Sequence, residues 1–312
     1  EQAYRFKSRT SKTRRAYMTD MEHFTSWCSA NGFTAVPAAP LTVQYYLAAF
    51  GDQTPGSGGL AISTLGRRLV AISHTHKLAR YESPTTDMSV REVLRGIRRE
   101  AAQQGYGKPH QATPLLTRDI KKIVTVLDKD LDRLIAKRDK ALLLMEWSGA
   151  FRSGEMGTIT YDNVLDTDEG LIITLPISKT DQVGVGVQIG IRPGANPATC
   201  PVTAYRDWIS AAGIRSGAVL REVNRHSQVG VAGITARNIN RIVRKLVMLI
   251  GLDPEKYSGH SCRAGIATQS VMSGVPQGVI MAHGRWKSER VFRRYVRLSE
   301  ALQNSPVLAV GL

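Results

Sequence analysis

Leu171-Ile-Ile-Thr-Leu-Pro-Ile-Ser-Lys-Thr-Asp-Gln-Val-Gly-Val-Gly-Val-Gln-Ile-Gly-Ile191 is where the helical period of this chain gives way. Val183, Val185, Val187, Ile189 and Ile191 alternate with Gly and Gln at a period of two, which places successive side chains on opposite faces of a strand. Leu171 to Pro176 is a second apolar run of strand length. The polar residues between them put Lys179 at or near a hairpin tip. On either side the pattern is helical: from Thr117 through Ala141-Leu-Leu-Leu-Met-Glu-Trp147 before it, and again after Pro193. The fold class expected is mainly α, with a small antiparallel sheet embedded in a second domain.

Upstream, the first hundred residues read as an all-helical domain. Tyr17, Met21, Phe24 and Cys28 recur at helical spacing, and Gly32 ends that helix. A second helix around Thr42 to Phe50 stops at the Gly/Pro-rich loop Gly51 to Gly59. A third, from about Ser63, buries Leu65, Leu69 and Ile72, leaving Arg67, Arg68, His74 and Lys77 on its other faces. A fourth opens with Ser89 and Glu92 at capping-box spacing and presents Arg91, Arg95, Arg98 and Arg99. Gln103 to Ala112 has no apolar period and contains two Gly and a Pro, so it reads as a linker. The expected organisation is an all-helical domain over 1–104, a linker over 105–113 and a second domain over 114–312.

Charge points to the partner. Lys and Arg outnumber Asp and Glu by 42 to 26, a formal net charge of +16. The excess is spread over both parts, with 15 basic against 8 acidic residues up to Ala112 and 27 against 18 beyond it. A charged helix face is usually just solvated. Two basic helices in one small domain fit a surface lying on nucleic-acid phosphates, with Lys12, Arg14, Arg67, Arg68 and Lys77 as contacts. Cys28, Cys200 and Cys262 lack paired spacing, giving neither a disulfide framework nor a metal site and suiting a reducing cytoplasm. No run of about 18 apolar residues suggests a membrane span, and the charged start lacks the apolar core of a secretory signal.

Three constellations carry the chemistry. Gly149-Ala-Phe-Arg152-Ser-Gly-Glu155 follows the apolar helix; taken alone, Arg152 reads more readily as a cap on its last carbonyls. In Ser258-Gly-His260-Ser-Cys-Arg263-Ala-Gly-Ile-Ala267, His260 and Arg263 lie one helical turn apart on one face, with small residues behind them for close packing. His283-Gly-Arg-Trp286 precedes Phe292-Arg-Arg-Tyr295 by a short step. A Tyr among Arg residues is by itself most often a surface residue.

In order along the chain these pieces resemble the tyrosine recombinase family of phage integrases. The resemblance spans essentially the whole chain and is most specific in Ser258-Gly-His-Ser-x-Arg263 and in the nine-residue step from Trp286 to Tyr295. It implies a catalytic set of Arg152, Lys179, His260, Arg263, Trp286 and the nucleophile Tyr295, with Glu155 in support. Most members carry His where Trp286 stands; the spacing to Tyr295 selects Trp286 over His283. It also implies double-stranded DNA with inverted-repeat half-sites as partner. A dimer would occupy each site and a homo-tetramer two duplexes, joined through the apolar tail Leu298 to Leu312. That tail reads equally as a segment docked on its own domain. The setting implied is a bacterial or phage nucleoid.

The residue types suit the reaction. Attack on a phosphodiester builds charge on two non-bridging oxygens, which permanently cationic, bidentate guanidiniums stabilise. The Trp286 indole N–H is a further donor. A tyrosine hydroxyl, with an ordinary pKa of about 10, needs cations and a proton acceptor such as His260 to ionise at neutral pH. Lys179 is placed to protonate the leaving 5′-oxygen. The phosphotyrosine link conserves the bond energy, so no cofactor is expected, and no Cys/His or carboxylate cluster has metal spacing.

Thr235-Ala-Arg-Asn-Ile-Asn-Arg241 follows a segment, Asn224 to Gly233, that reads as a polar loop, and opens a helix whose N-terminal residues suit a major groove. By the resemblance Arg237 contacts a base, and Asn240 stands where a relative has an acidic residue. Arg241, Arg244 and Lys245 read as phosphate contacts. Two alternatives use the same fold: a type IB topoisomerase, which would relax DNA without demanding paired sites, and a DNA-binding regulator that has lost catalysis.

Overall fold

The computed structural model describes residues 10–106, 112–175 and 186–295. The chain divides at 110/111 into two compact units, Glu1–His110 and Gln111–Leu312, each with its own core.

Among the described residues the first unit holds four α-helices: α1 (Ser11–Ala30), α2 (Pro40–Ala49), α3 (Ile62–Leu78) and α4 (Met88–Gln103). Phe24 and Cys28 of α1 meet Val43, Tyr46 and Leu47 of α2, Leu65 and Ile72 of α3, and Val90 and Leu94 of α4. Asp87 caps α4, its carboxylate accepting from Ser89 N at 2.9 Å. The expected cap at Ser89 was thus two residues late, because the Asp side chain is the better acceptor for the orphan N–H groups.

The second unit is built around α6 (Leu134–Ser148), buried from Ala136 to Glu146 apart from Lys137 at its margin. An apolar run this continuous leaves no solvent face, so neighbours cover it on every side. Those include α5 (Thr117–Leu127), α8 (Pro201–Ala211) with fully buried Trp208, and α10 (Gly259–Met272). The single turn α7 (Ser153–Met156) follows α6. The sheet has three antiparallel strands, β1 (Val164–Thr167), β2 (Gly170–Leu175) and β3 (Val187–Ile191), with Val164 opposite Ile173 and Leu171 opposite Ile191. The sequence signalled β2 and β3; β1, four residues with two exposed side chains, lacked a burial pattern to betray it. Lys179 and the first part of the alternating run lie outside the described residues, as does the tail from 296 to 312.

The segment expected to be a polar loop is instead a hairpin, β4 (Arg221–Val223) with β5 (Val229–Gly233). It leads into α9 (Ala236–Met248), capped by Thr235, whose side chain accepts from Asn238 N. After α10 come α11 (Gln277–Gly284) and a further helix, α12, whose described part covers 289–295.

Candidate active site

Four segments of the second unit converge: the α6–α7 turn, the start of α10, the α11–α12 turn and α12. The start of α10 is seated first. Ser258 N donates to Ser261 Oγ at 3.0 Å and Gly259 N to Asn240 Oδ1 at 2.8 Å, satisfying N–H groups that a helix start leaves open. Gly259 is required there. A Cβ would stand 1.8 Å from Ser153 Oγ and 2.8 Å from Glu146 Oε1.

That seating aims Arg263 inward and leaves His260 exposed at the rim. Arg263 is 1% exposed. Its terminal nitrogens donate to the carbonyls of Ala150 and Gly284, one on each flanking turn. Its guanidinium carbon lies 4.1 Å from the centre of the Trp286 ring, a cation–π contact in a desolvated setting. Trp286 in turn packs on Phe292 at 5.4 Å and on Tyr295 at 5.5 Å between ring centroids. The Tyr295 carbonyl accepts from Thr268 Oγ1 of α10 at 2.8 Å. The nine-residue step thus reflects a stack: Arg263, then Trp286, then Tyr295.

Arg152 begins α7 with a quarter of its side chain exposed. Glu155 receives the Arg152 backbone N–H at 2.9 Å and the Arg152 guanidinium on its other oxygen. Arg285 reaches the same carboxylate at 2.9 Å from the opposite side. Burial alone would push the Glu155 carboxyl up; the Arg152 N–H and the charges of Arg285 and Arg152 outweigh it and hold it below its usual range. Burial, followed by repulsion from Arg152 and Arg285, pulls Arg263 down to about 10, still protonated at neutral pH.

Three guanidiniums around one carboxylate leave two positive charges in excess. An anion arriving there relieves repulsion that the fold itself imposes. One donor waits beside it: Trp286 Nε1 is buried without a hydrogen-bond partner among the described residues. Buried donors are rarely left unpaired, and such exceptions concentrate at functional sites. His283 is engaged elsewhere, its Nε2 donating to the Ser148 carbonyl at 2.6 Å. The position beside Arg263 and Tyr295 belongs to Trp286.

Sequence reasoning missed two features here. Arg285 was visible only as a letter between Gly284 and Trp286. Behind α10, Glu146 is fully buried, accepts from Ser153 Oγ at 2.9 Å and is pushed by that burial up to about 8. A lone Glu inside Leu-Leu-Met-Glu-Trp147 was the available signal.

The expected DNA contacts separate into groups. Arg237 and Arg241 are exposed on α9. Arg244 is exposed but holds the Tyr257 carbonyl at 3.2 Å, with Glu255 at 3.4 Å. Asn240, expected beside Arg237 at the DNA, points the other way and caps α10. In the first unit Lys12 and Lys77 are exposed, and Arg14 lines a small apolar cavity with Tyr17, Met21 and His74. Arg67 pairs with Asp20 through two bonds of 2.7 and 2.9 Å while staying half-exposed. Arg68 does not lie on a solvated helix face. It is buried, bonded to the Tyr46 hydroxyl and His23 with Asp20 3.6 Å away, because α1 brings a carboxylate into the core that only cations can neutralise.

Residues 114–301 match the Phage integrase family, and the chain belongs to it: it is a tyrosine-type site-specific DNA recombinase. It is similar to the integrase/recombinase xerD homolog of Selenomonas ruminantium, 33% identical over 293 residues, which cover 93% of this chain and 82% of that protein. It is 25% identical over 286 residues to the recombinase cre of Escherichia phage P1, covering 87% and 80% of the two chains. Among solved structures, the integrase of the Tn1549 transposon in complex with transposon right end DNA shares the fold. It has a TM-score of 0.55 at 11% identity, covering 86% of each chain. No described helix is long and apolar enough to cross a membrane, and no described group of His, Cys, Asp or Glu could hold a metal ion.

Proposed function

We propose that Tyr295 is the nucleophile that attacks the scissile phosphodiester, leaving a 3′-phosphotyrosyl link and a free 5′-hydroxyl. Arg152 and Arg263 stabilise the charge that develops on the non-bridging oxygens, and the unpartnered Trp286 indole N–H donates to the same oxygens. His260, exposed at the rim, takes or relays the Tyr295 proton. Lys179 protonates the leaving oxygen. Glu155 holds Arg152 in place. The observation that carries this reading is the stack of Arg263, Trp286 and Tyr295 beside a cluster with two positive charges in excess.

The same reading assigns Arg237 and Arg241 to the major groove and adjacent phosphates, with Lys12, Arg67 and Lys77 on the backbone of the duplex. Protomers pair on inverted-repeat half-sites, two sites assemble into a tetramer, and the tail from 298 to 312 links neighbours. The cell compartment is the cytoplasm, at the nucleoid. The experiment is to express wild type and Tyr295→Phe in cells carrying a random-site DNA library, lyse in denaturant, and sequence the DNA that stays on protein. Adducts concentrated on one inverted-repeat site and absent from Tyr295→Phe support the proposal. Adducts on all sequences point to topoisomerase-like relaxation, and none from either protein, despite tight binding, to a regulator.

A further inference from the structure

Arg285 has an unusual position. Its backbone is left-handed, φ 60° and ψ 38°, at the end of α11. A side chain there is strained, and glycine is the residue that normally closes a helix in this way. The side chain does not escape to solvent, as a long cation at a helix end ordinarily does. It turns back into the protein, 7% exposed, with its guanidinium 5.4 Å from the Phe151 ring centre. It donates to the Gly149 and Ala150 carbonyls at 3.2 Å each and to Glu155 at 2.9 Å. Its Nε is buried with no partner among the described residues. Backbone strain, burial of a charge and an unmet donor all cost stability, and such costs gather where geometry serves function.

We propose that Arg285 is a positioning residue for strand cleavage: by clamping Glu155 and the Gly149–Ala150 turn it fixes Arg152 against the scissile phosphate and ties that turn to the Trp286–Tyr295 segment. Glu155 has two oxygens and two guanidinium partners. With Arg285 on one, Arg152 can use the other with a single terminal nitrogen, leaving its remaining donors for the phosphate. Without Arg285, Arg152 is free to close on Glu155 with both prongs and turn from the DNA. Arg285 also pulls on the Ala150 carbonyl that Arg263 uses, so both guanidiniums share one anchor. The inference rests on Arg152 acting at the phosphate.

The test uses the full chain and a duplex bearing the site recovered by adduct sequencing, nicked so that cleavage releases a short fragment and cannot reverse. Arg285→Gly suits the backbone and deletes only the clamp. Its single-turnover cleavage should fall by about 30-fold or more, with DNA affinity within about three-fold of wild type, since one charge-assisted contact is lost in the transition state alone. Arg285→Lys, which keeps a cation for Glu155, should recover most of that loss. Glu155 is surrounded by Arg152 on its own turn, Arg285 from the α11 end and, further off, Arg263 from α10. Removing one of these cations raises its titration, so the acid limb of the cleavage profile should move to higher pH in Arg285→Gly. A purely structural role would not move it. Cleavage by Arg285→Gly near the wild-type rate, an unmoved acid limb, or Arg285→Lys as slow as Arg285→Gly would overturn the proposal. Should Arg285→Gly not fold, Arg285→Gln takes its place under the same criteria. Arg152→Ala separates the two levels. If it cleaves normally, the reading of the site itself fails; if it is dead while Arg285→Gly is normal, only the role of Arg285 fails.

Discussion

Gly259→Ala is the smallest change that should disable this protein. The new methyl would stand 1.8 Å from Ser153 Oγ, 2.8 Å from Glu146 Oε1 and 3.1 Å from Asn240 Oδ1, three atoms belonging to one buried network. None is the free end of a flexible side chain: Ser153 is held by Glu146 at 2.9 Å, and Asn240 by Gly259 N itself. Overpacking of this kind costs about 1–3 kcal/mol. Driving Ser153 off Glu146 leaves a buried polar group unsatisfied at a further ~1–3 kcal/mol. A total of about 2–6 kcal/mol follows, or a fall in melting temperature on the order of 10 °C for a unit of this size. Urea unfolding followed by tryptophan fluorescence would measure it. Ser153→Ala alone removes one hydrogen bond, at about 1 kcal/mol. Adding Ser153→Ala to Gly259→Ala takes away the nearest clashing atom, so the double variant should be more stable than Gly259→Ala, a non-additivity expected only of groups in contact. A Gly259→Ala protein within about 0.5 kcal/mol of wild type, or strict additivity in the double variant, would show that these three atoms do not confine the Gly259 position.

Four further outcomes follow from particular residues. Burial raises the Glu146 carboxyl to about 8 from an ordinary 4.5, so the unfolded state releases its proton first and stability falls between those values as pH rises, by about 1.4 kcal/mol per unit. Glu146→Gln should remove that slope, and parallel pH curves of urea midpoint for the two proteins would show the assignment wrong. Arg68→Ala should destabilise the first unit by about 3 kcal/mol, since Asp20 stays buried with less compensation. Lys77→Ala should leave melting unchanged and lower the salt dependence of DNA binding by roughly one unit of slope, a difference that thermal melts and salt titrations resolve. Trp286→Phe keeps a ring against Arg263 and Tyr295 but deletes the waiting N–H. Covalent adduct should form about 10–100-fold more slowly with DNA affinity retained, and an unaltered rate would remove Trp286 from the oxyanion contacts.

What the sequence disclosed depended on how local each interaction is. His260 and Arg263 share a helical turn and Trp286 and Tyr295 lie nine residues apart, so fixed spacing was enough to mark them. The β2–β3 alternation was equally local. Arg68 was misplaced because a basic residue on a helix face looks solvated until Asp20, from a helix 48 residues earlier, is known to lie beneath it. Asn240 is the same case in reverse: its place among basic residues suggested DNA, while its partner is the amide of Gly259 on the next helix. The β4–β5 hairpin escaped because its strands are short and Val231, at the centre of β5, is 84% exposed, leaving no alternation of burial. Arg285 was illegible for a different reason. Nothing in a sequence tells that a non-glycine residue adopts a left-handed backbone, and that backbone is what turns its guanidinium toward Glu155.

The central claim is that one hydroxyl, that of Tyr295, forms the covalent bond to DNA. The direct test is to trap the adduct on its recovered site, digest the protein and the DNA to completion, and locate the nucleotide-bearing peptide by mass spectrometry. A single modified peptide is expected, containing Tyr295 and carrying a 3′-linked phosphate. The same mass on a peptide holding Tyr257, Ser258 or any other hydroxyl, with Tyr295 unmodified, would contradict it.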